Sequence, residues 1–453
     1  MIREMKRDEL LKSVREAEYL TQEERQLLQQ KRLHELVDYA REHSDYFKTY
    51  YQDLPEDYTL NDLPMTSKKQ LMPHFEDWVT DKRVSREALE VYFSDLNNIG
   101  MPLLEEFSVL TTSGTTGQPL WMVRDSFHGK VHGSMMAVRL MERLGIDPWL
   151  DSSRYKMASI IGTGGFHSAV SSFERMKNSS PCPENFLLCS ILDPIPEIVA
   201  NLNAFEPALI TGYPSVMAVL AKEKLEGRLT IEPKAIACSA EQLTEYAYKM
   251  MKDAFNCTIA NSFCSTEGGE VAFNCTCGNM HLNDDWIIIE PVDSNNQPVT
   301  DQTMSAGVLV TNLADYLQPI IRYHVEDSII IEDGQCPCGS KLPIVRLLGR
   351  NGENVSFDID GGSRTIAPVM LDFLPTKTDG ILQYQFVQKS PKLLEMRIVY
   401  ANGSNKEEVD SQISHYVKQL FKDNQMDAVV FEIVDQPPVQ SKGGKIKTVV
   451  IDF

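Results

Sequence analysis

The chain has 453 residues, enough for about three domains of ordinary size and for hydrophobic cores that need no disulfide bonds. Charged residues make up 24% of the sequence and hydrophobic residues 42%, a balance that excludes a largely disordered chain. The 64 acidic residues outnumber the 44 lysines and arginines, and the net charge is −20. Because an acidic surface repels polyanions, nucleic acid and anionic membrane are not expected partners.

The expected location is the cytoplasm. No apolar stretch approaches the ~20 residues that a membrane-spanning helix needs, and no apolar segment follows the charges at the N-terminus, as it would in a secretory signal. The nine cysteines are therefore expected to be reduced, and those that lie close together in sequence become candidate metal ligands.

The first part of the chain is predicted to be helical. Apolar residues recur mostly at three- and four-residue spacing over residues 7–50, with charged residues between them. Prolines at positions 55, 64 and 73 break the following stretch into turns and short helices. Thr66 and Ser67 are suitable caps for a helix that begins near Lys68.

The middle of the chain, residues 105–345, alternates buried strands with helices. Apolar runs at residues 108–110, 157–161 and 208–210 have the length of buried strands, and residues 215–225 form a helical stretch that follows a proline. This alternation is typical of α/β layering.

The sequence changes character after residue 350. Alternating patterns predict strands at about 382–388 and 393–400, then a helix at about 406–421 and a strand at 427–434. We therefore predict two domains. A large α/β N-terminal domain comprises residues 1–349, and a small α+β C-terminal domain comprises residues 350–453.

Residues 111–119 form a loop of small hydroxyl residues with two glycines. Such a backbone can curl so that N–H groups and hydroxyls surround phosphate oxygens, although the same composition is also usual in plain surface loops. Apolar runs on both sides predict a strand–loop–strand unit. The loop is not a Walker motif, because no Gly-Lys-Ser/Thr ends it and no helix pattern follows.

The loop resembles the phosphate loop of the adenylate-forming superfamily of acyl-CoA synthetases and adenylation domains. The chain as a whole resembles the phenylacetate–CoA ligase branch of that superfamily, and the motifs occur in the family's order over nearly its full length. The resemblance implies a large α/β N-terminal domain of the adenylate-forming type, followed by a small, mobile α+β domain. It implies that the phosphates of ATP contact Thr112, Ser113, Gly114, Thr115, Thr116 and Gly117.

Further motifs imply the rest of the nucleotide site. Residues 261–267 resemble the Tyr-Gly-x-Thr-Glu motif, in which Thr266 would contact the α-phosphate and Glu267 would bind Mg²⁺, a cation that prefers hard oxygen ligands. In residues 319–327, Asp327 stands where the family's Asp binds the ribose hydroxyls. The remaining residues that the resemblance assigns to the nucleotide are Ser239, Ala240, Glu241, Ser262, Phe263 and Arg350.

Lys445, between Gly444 and Ile446, resembles the family's catalytic lysine, which completes the adenylation site. In the family, rotation of the small domain removes this lysine before the thiol reacts. The functional interpretation of Lys445, Asp327 and Glu267 depends on the order of the motifs along the chain. Considered singly, each would be an ordinary turn or loop residue. The resemblance also places the acyl pocket near Phe166, His167 and Tyr213. The alternative is that these three side chains have only a structural role in the core.

Two close cysteine pairs and a histidine form a candidate zinc site. Four thiolate or imidazole ligands make a closed tetrahedral site, which is structural because no position remains for water. Two unrelated Cys-x-Cys turns are the alternative. Members of the branch can carry a structural zinc here, with a spacing that favours Cys275 over Cys277. The five candidate donors are Cys275, Cys277, His281, Cys336 and Cys338.

The expected enzyme is an AMP-forming acid–thiol ligase. It would use ATP, Mg²⁺ and coenzyme A to convert a small-molecule carboxylic acid, with an aryl or arylacetic acid implied by the branch. Two alternatives stay open: transfer of the acyl group to an amine or to the thiol of a separate carrier protein, and a nucleotide-binding regulator that has lost the chemistry. A homodimer is the assembly considered.

Overall fold

The computed structural model describes most of the chain. The described residues are 2–112, 120–146, 151–241, 243, 245–293, 295–300, 302–303, 305–347, 355–360, 362–366, 368–372, 374–375, 378, 380–400, 403–439 and 447–453. Of the predicted site residues, Ser113, Gly114, Thr115, Thr116, Gly117, Arg350 and Lys445 lie outside them. Within the described parts, no helix combines the length and apolar character needed to cross a lipid bilayer.

The N-terminal region is helical, as the apolar spacing predicts. Its helices are α1 (Arg7–Ala17), α2 (Gln22–His43), α3 (Asp45–Tyr50), α4 (Lys68–Leu71), α5 (Phe75–Trp78) and α6 (Arg86–Phe93). A capping box starts α2, because the Thr21 hydroxyl accepts the Glu24 N–H while the Glu24 carboxylate accepts the Thr21 N–H. The helices pack on the large domain through a continuous apolar core that includes Leu36, Phe47 and Trp78.

A hairpin and a long helix follow. Strands β1 (Ser108–Thr111) and β2 (Trp121–Arg124) pair in antiparallel register, which confirms the predicted strand–loop–strand unit. Helix α7 (Ser126–Met135) begins directly after β2 and is capped by Asp125, whose side chain accepts the His128 N–H. A π-helical segment, Met136–Met141, and a last turn, α8 (Glu142–Leu144), extend it.

The central sheet has nine strands in the part of the chain that the structure describes. Their order across the sheet is β13-β14-β9-β8-β7-β6-β5-β3-β4, with parallel pairing from β4 to β7 and antiparallel pairing from β7 to β13. The strands are β3 (Met157–Ile161), β4 (Phe186–Ser190), β5 (Leu209–Gly212), β6 (Ala235–Ser239), β7 (Thr258–Ser265), β8 (Gly269–Asn274), β9 (Met280–Leu282), β13 (Ile329–Glu332) and β14 (Ile344–Leu347).

Helices cover both faces of this sheet, so the predicted α/β layering is confirmed. One face carries α10 (Ile195–Phe205), α11 (Pro214–Leu225) and α12 (Glu245–Phe255), which pack with the apolar strand residues. The other face carries α9 (Ser168–Ser179) and the π-helical segment. Burial on both faces explains why β3 reads as an unbroken apolar run rather than an alternating one.

A small antiparallel sheet lies beside the central one. It consists of β10 (Ile287–Val292), β11 (Gly307–Asn312) and β12 (Tyr323–Val325). Thr66 joins this unit to the N-terminal helices, because its N–H donates to the Arg322 carbonyl and its carbonyl accepts the His324 N–H, both at 2.9 Å. This contact fixes β12, and with it the segment that leads to Asp327.

The C-terminal part is a small α+β unit, as predicted. The predicted strands and helix correspond to β17 (Ile381–Ser390), β18 (Leu393–Tyr400), α14 (Lys406–Asp423) and β19 (Val430–Val434). The prediction missed β15 (Val355–Ile359), β16 (Gly362–Ile366), α13 (Pro368–Asp372) and β20 (Val449–Ile451). The unit contacts the large domain where the Ile195 N–H donates to Asn424 Oδ1 at 3.0 Å. The boundary proposed at residue 350 falls among residues 348–354, outside the described ones.

Candidate active site

The turn between β7 and β8 carries Thr266 and Glu267. The two strands pair up to Ser265 and Gly269, so the three residues between them are held at the tip of a tight hairpin. The turn requires glycine twice. A Cβ on Gly268 would lie 2.7 Å from Val271 Cγ2, and Gly269 has a φ of +73°, which side-chain-bearing residues rarely adopt.

Two side chains from other elements hold this turn in place. Arg124, at the end of β2, donates from Nη2 to the carbonyls of Thr266 at 2.8 Å and Glu267 at 3.1 Å. Asn312, at the end of β11, donates from Nδ2 to the Gly268 carbonyl at 3.0 Å. The turn is therefore fixed through its backbone carbonyls, and these three contacts do not involve the side chains of Thr266 and Glu267.

The Glu267 carboxyl lies among charges of both signs. Burial raises its pKa, and the negative charge of Asp327 raises it further, while Arg124 and Lys68 act against this shift. Lys68 is the first residue of α4, and the charge of Glu267 acts on it in return. Two neighbouring carboxylates favour a divalent cation, because a metal ion relieves their mutual repulsion with the hard oxygen ligands that Mg²⁺ prefers.

The opposite faces of β7 separate two regions. Side chains alternate along a strand, so Phe263 and Ser265 share one face, where they line a narrow apolar cavity together with Asp327 and Leu347. Its volume of about 10 Å³ has room for roughly one water molecule, so it shows that Phe263 and Asp327 are neighbours and is too small to hold an adenosine. Ser262 points to the other face, and its Oγ is buried 3.5 Å from Cys264 Sγ.

The predicted turn beside the adenine follows β6. Ala240 adopts a left-handed conformation with φ of +67°, and Ser239 pairs with Ser262 in the parallel register of β6 and β7. The Glu241 carboxylate accepts the Ser215 N–H at 3.0 Å and so caps the first turn of α11. Burial raises the pKa of Glu241. The described contact of Glu241 is therefore structural, while Ser239 and Ala240 stay candidates for nucleotide binding.

The three predicted acyl-pocket residues have different surroundings. Phe166 is buried against Tyr92 and Phe93, with ring centroids 5.3 and 5.0 Å apart, and thus belongs to an aromatic cluster of the core. His167 directly precedes α9, and burial lowers its pKa, which favours the neutral imidazole. The Tyr213 hydroxyl lies 3.5 Å from the Gly162 backbone nitrogen, next to the glycine run after β3.

The mouth of the predicted phosphate loop is closed by hydrogen bonds. The Thr112 N–H donates to the Leu120 carbonyl at 3.1 Å, and the Leu120 N–H donates to Thr112 Oγ1 at 2.9 Å. The Thr111 N–H also donates to the Phe166 carbonyl at 2.7 Å, so the base of the loop is tied to the start of α9. The residues between these positions are outside the described ones.

Four of the five candidate metal ligands meet at one point. The donor atoms of Cys275, His281, Cys336 and Cys338 all lie within 4.8 Å of one another. Cys275 Sγ is 3.5 Å from Cys336 Sγ, and His281 Nε2 is 3.6 Å from Cys338 Sγ. These separations are close to the ~3.8 Å edge of a tetrahedron with Zn–S bonds of about 2.3 Å.

The surroundings of this cluster fit a closed site. His281 Nδ1 is 2.9 Å from the Leu342 carbonyl, which orients the ring so that Nε2 faces the three sulfur atoms. Cys275, His281 and Cys336 are buried, whereas Cys277 is exposed and is not part of the group. With three sulfurs and one nitrogen, the donor set suits zinc and leaves no position for a reacting water.

Sequence reasoning missed the residues that position the active-site turn. Arg124 forms an ion pair with Asp315, with 3.3 Å between Nε and Oδ1, and Asp315 is also 3.5 Å from His128 Nε2. Burial raises the pKa of Asp315 to about 7. No local motif marks these side chains, because their partners lie far away in the chain.

The fold is that of the adenylate-forming ligases. No family model matches the sequence. A solved structure of 2-hydroxyisobutyryl-CoA ligase with 2-HIB-AMP and CoA, in the thioesterification state, superposes with a TM-score of 0.58 at 19% identity, over 96% of this chain and 91% of that one. The same ligase in the postadenylation state, with R3-HIB-AMP, gives a TM-score of 0.54 at 17% identity and the same coverage. At these identities the likeness establishes the fold.

One curated relative is similar in sequence. The chain is 25% identical over 252 residues to Protein CapK of Staphylococcus aureus. The match covers 54% of this chain and 53% of CapK, so the chain spans about half the length of the curated relative that it matches. The activity of the whole protein is therefore a matter for proposal.

Proposed function

We propose that the protein is an AMP-forming acid–CoA ligase of the phenylacetate–CoA ligase type. It would join an aryl or arylacetic carboxylate to AMP, pass the acyl group to coenzyme A, and release AMP and pyrophosphate. The observation that carries this proposal is the β7–β8 hairpin, whose tip presents Thr266 and Glu267 close to Asp327, with Phe263 on the same strand. The acyl-AMP and CoA named in the two ligase structures support the same chemistry.

Each proposed role follows from the chemistry of the first half-reaction. A carboxylate oxygen attacks the α-phosphorus of ATP, and the bond to pyrophosphate breaks. Asp327 and Phe263 would hold the adenosine, Thr266 would donate to the α-phosphate, and Glu267 would hold Mg²⁺, which offsets the phosphate charge. No general base is needed, because the attacking carboxylate is already ionised near neutral pH.

The second half-reaction completes the proposed cycle. The thiol of CoA attacks the carbonyl carbon of the acyl-adenylate, and AMP leaves as a stable phosphate. The family resemblance supports this order through Lys445, which would serve only the first step. An amine or the thiol of a separate carrier protein could accept the same acyl group. Dependence of product formation on free CoA separates these acceptors.

Acid-dependent exchange of labelled pyrophosphate into ATP tests the proposal. We expect at least one aryl or arylacetic acid to support exchange without CoA, because exchange requires only a reversible first half-reaction. Fatty acids of similar size serve as comparison substrates. Silence across aryl, arylacetic and fatty acids, together with intact ATP binding by calorimetry, would contradict the proposal and favour a nucleotide-binding regulator.

The lysine proposal predicts different losses in the two half-reactions. In Lys445→Ala we expect exchange to fall about 10²-fold, because a cation beside the developing negative charge is lost. Thioester formation from a supplied acyl-adenylate should change by no more than a few-fold. Lys447→Ala, which removes an exposed cation two residues later, is the matched control and should leave both half-reactions intact. Equal loss of both half-reactions in Lys445→Ala would overturn the assignment.

We propose further that Cys275, His281, Cys336 and Cys338 hold a structural Zn²⁺. The grouping of their donor atoms and the orientation of His281 by the Leu342 carbonyl support this. The ion would cross-link the turn after β8, strand β9 and the loop between β13 and β14. Such a cross-link stabilises the edge of the central sheet and takes no part in the chemistry.

A further inference from the structure

A group of basic side chains lies directly behind the Thr266–Glu267 turn. Arg124 pairs across the β1–β2 hairpin with Ser108, and the Ser108 hydroxyl accepts a hydrogen bond from Arg175 of α9. His128 and His132, one turn apart on α7, stack with ring centroids 6.0 Å apart and an angle of 15°. Two guanidinium groups and two imidazoles therefore meet between α7, α9 and the hairpin.

The positive charge in this group exceeds the negative charge. Asp315 is ion-paired with Arg124 and lies near His128. Arg175 contacts no carboxylate among the residues that the structure describes, and its hydrogen bond there goes to a neutral hydroxyl. Burial lowers the pKa of His132 to about 3, so this imidazole is neutral and Arg175 keeps its charge beside it. A partly buried guanidinium without a counterion is costly, which favours the entry of an anion.

Two further polar atoms near Arg175, one on α9 and one on α7, have no hydrogen-bond partner among the described residues. Ser171 is one turn before Arg175 and shares its face of α9; it is only 5% exposed, and its Oγ has no hydrogen bond within the described residues. His132 Nδ1 is likewise buried and unpartnered, 3.7 Å from where a Cβ on Gly269 would lie. Buried polar atoms in native proteins are nearly always satisfied, so these two atoms can bind a polar group that reaches Arg175.

The group of basic side chains contacts the Thr266–Glu267 turn on one side and extends along α9 to the mouth of the predicted phosphate loop on the other. Arg124 binds the carbonyls of Thr266 and Glu267, which places the group behind the proposed site of adenylation. Helix α9 starts after His167, beside Thr111 at the mouth of the phosphate loop, and runs along β1 to Arg175. The eight residues from His167 to Arg175 correspond to a rise of about 12 Å along the helix.

We infer that Arg175, assisted by Ser171 and His132, binds a second carboxylate on the acid substrate, so that the substrate class is a dicarboxylic acid. This inference rests on the proposed ligase function and narrows it. One carboxylate would react at Thr266 and Glu267. The other would replace the missing counterion of Arg175 with charge-assisted hydrogen bonds. Arg175 would then be a specificity-determining residue.

Matched pairs of acids test this inference in the exchange reaction. Benzene-1,4-diacetate is compared with phenylacetate, terephthalate with benzoate, and adipate with hexanoate. For the unmodified protein we expect kcat/KM to favour at least one diacid over its partner by about 10- to 100-fold. Arg175→Met should remove that preference while leaving the monoacid rate within a few-fold, and Arg175→Lys should restore part of it. Lys177→Met, on another face of α9, is the control and should keep the preference.

A binding measurement separates failure of this inference from failure of the ligase proposal. Thermal stabilisation by each diacid is measured for the unmodified protein and for Arg175→Met, after circular dichroism has shown that the variant is folded. If exchange is silent with every acid but a diacid stabilises only the unmodified protein, the ligase proposal fails and the anion subsite stands. A different result would show that the inference is wrong while the ligase proposal stands. In that result, each monoacid supports exchange as well as its diacid partner, and Arg175→Met changes neither the diacid-to-monoacid ratio of kcat/KM nor the thermal stabilisation by diacids.

Discussion

Replacing Glu267 by Gln is expected to lower acid-dependent pyrophosphate exchange by about 10²- to 10³-fold. The substitution keeps the shape of the side chain and removes its negative charge, so the loss would fall on binding of Mg²⁺ and on stabilisation of the phosphate charge. Because Arg124 and Asn312 hold the backbone of this turn, the Glu267→Gln variant should keep its geometry. Initial exchange rates at several Mg²⁺ concentrations measure the effect.

A matched carboxylate is available as a control. Glu326 is exposed and directly precedes Asp327, so Glu326→Gln makes the same chemical change close to the site but outside it. We expect exchange by Glu326→Gln to stay within about two-fold of the unmodified protein, in line with the small effects of surface substitutions. Two results would refute the metal-binding role of Glu267. One is an equal loss of exchange activity in the two variants, and the other is an exchange rate of Glu267→Gln that does not depend on the Mg²⁺ concentration.

The same carboxyl gives the exchange reaction a defined dependence on pH. Burial raises the pKa of Glu267, so its protonated fraction grows at a higher pH than for an ordinary glutamate. Mg²⁺ binds the ionised form; exchange should therefore fall as the pH drops through this raised pKa. Added Mg²⁺ should move the acid limb of the pH profile to lower pH. Glu267→Gln should lack this Mg²⁺-dependent limb.

The sequence predicts the elements whose pattern is local. Helical spacing of apolar residues predicts a helix at about 406–421, and α14 spans Lys406–Asp423. The alternating pattern predicts a strand at 393–400, and β18 spans Leu393–Tyr400. Strand β20 escapes prediction. It has three residues and exists by pairing with β17, some sixty residues earlier in the chain, so no local pattern marks it.

The candidate site also contains residues that local motifs predict and residues that only the folded structure reveals. Thr266, Glu267 and Asp327 belong to short motifs that can be read locally, and they lie close together. Arg124 could not be found in this way, since its contacts with Thr266 and Asp315 join residues 142 and 191 positions apart. Such buried partners depend on how the strands are assembled, which a single sequence does not reveal.

The five metal-ligand candidates show what geometry adds to spacing. Cys275 and Cys277 are two residues apart, and spacing alone keeps both as donors. In the structure the Gly278 N–H donates to the Cys275 carbonyl, and this tight turn leaves the Cys277 side chain exposed. Gly278 has a φ of +87°, a conformation that suits glycine. The turn therefore decides which thiol faces His281.

Loss of one proposed zinc ligand is expected to destabilise the fold strongly. In Cys336→Ser the site would keep three ligands, and we expect bound zinc to fall from one ion per chain to near zero and the Tm to drop by about 5 °C or more. Cys277→Ser is the matched control, because it removes an exposed thiol from the turn that carries Cys275 and should change neither quantity. Metal analysis by mass spectrometry and a thermal melt measure both variants.

The position of the cluster links this loss to nucleotide binding. In the described residues, two residue pairs join β14 to β9, Ile344 with His281 and Val345 with Met280, and the proposed zinc would reinforce this short pairing. The same edge contributes Ile329 and Leu347 to the cavity that Asp327 lines. We therefore expect Cys336→Ser to raise the KM for ATP more than it lowers kcat. Full zinc retention with an unchanged Tm in Cys336→Ser would show that the four side chains are not a metal site.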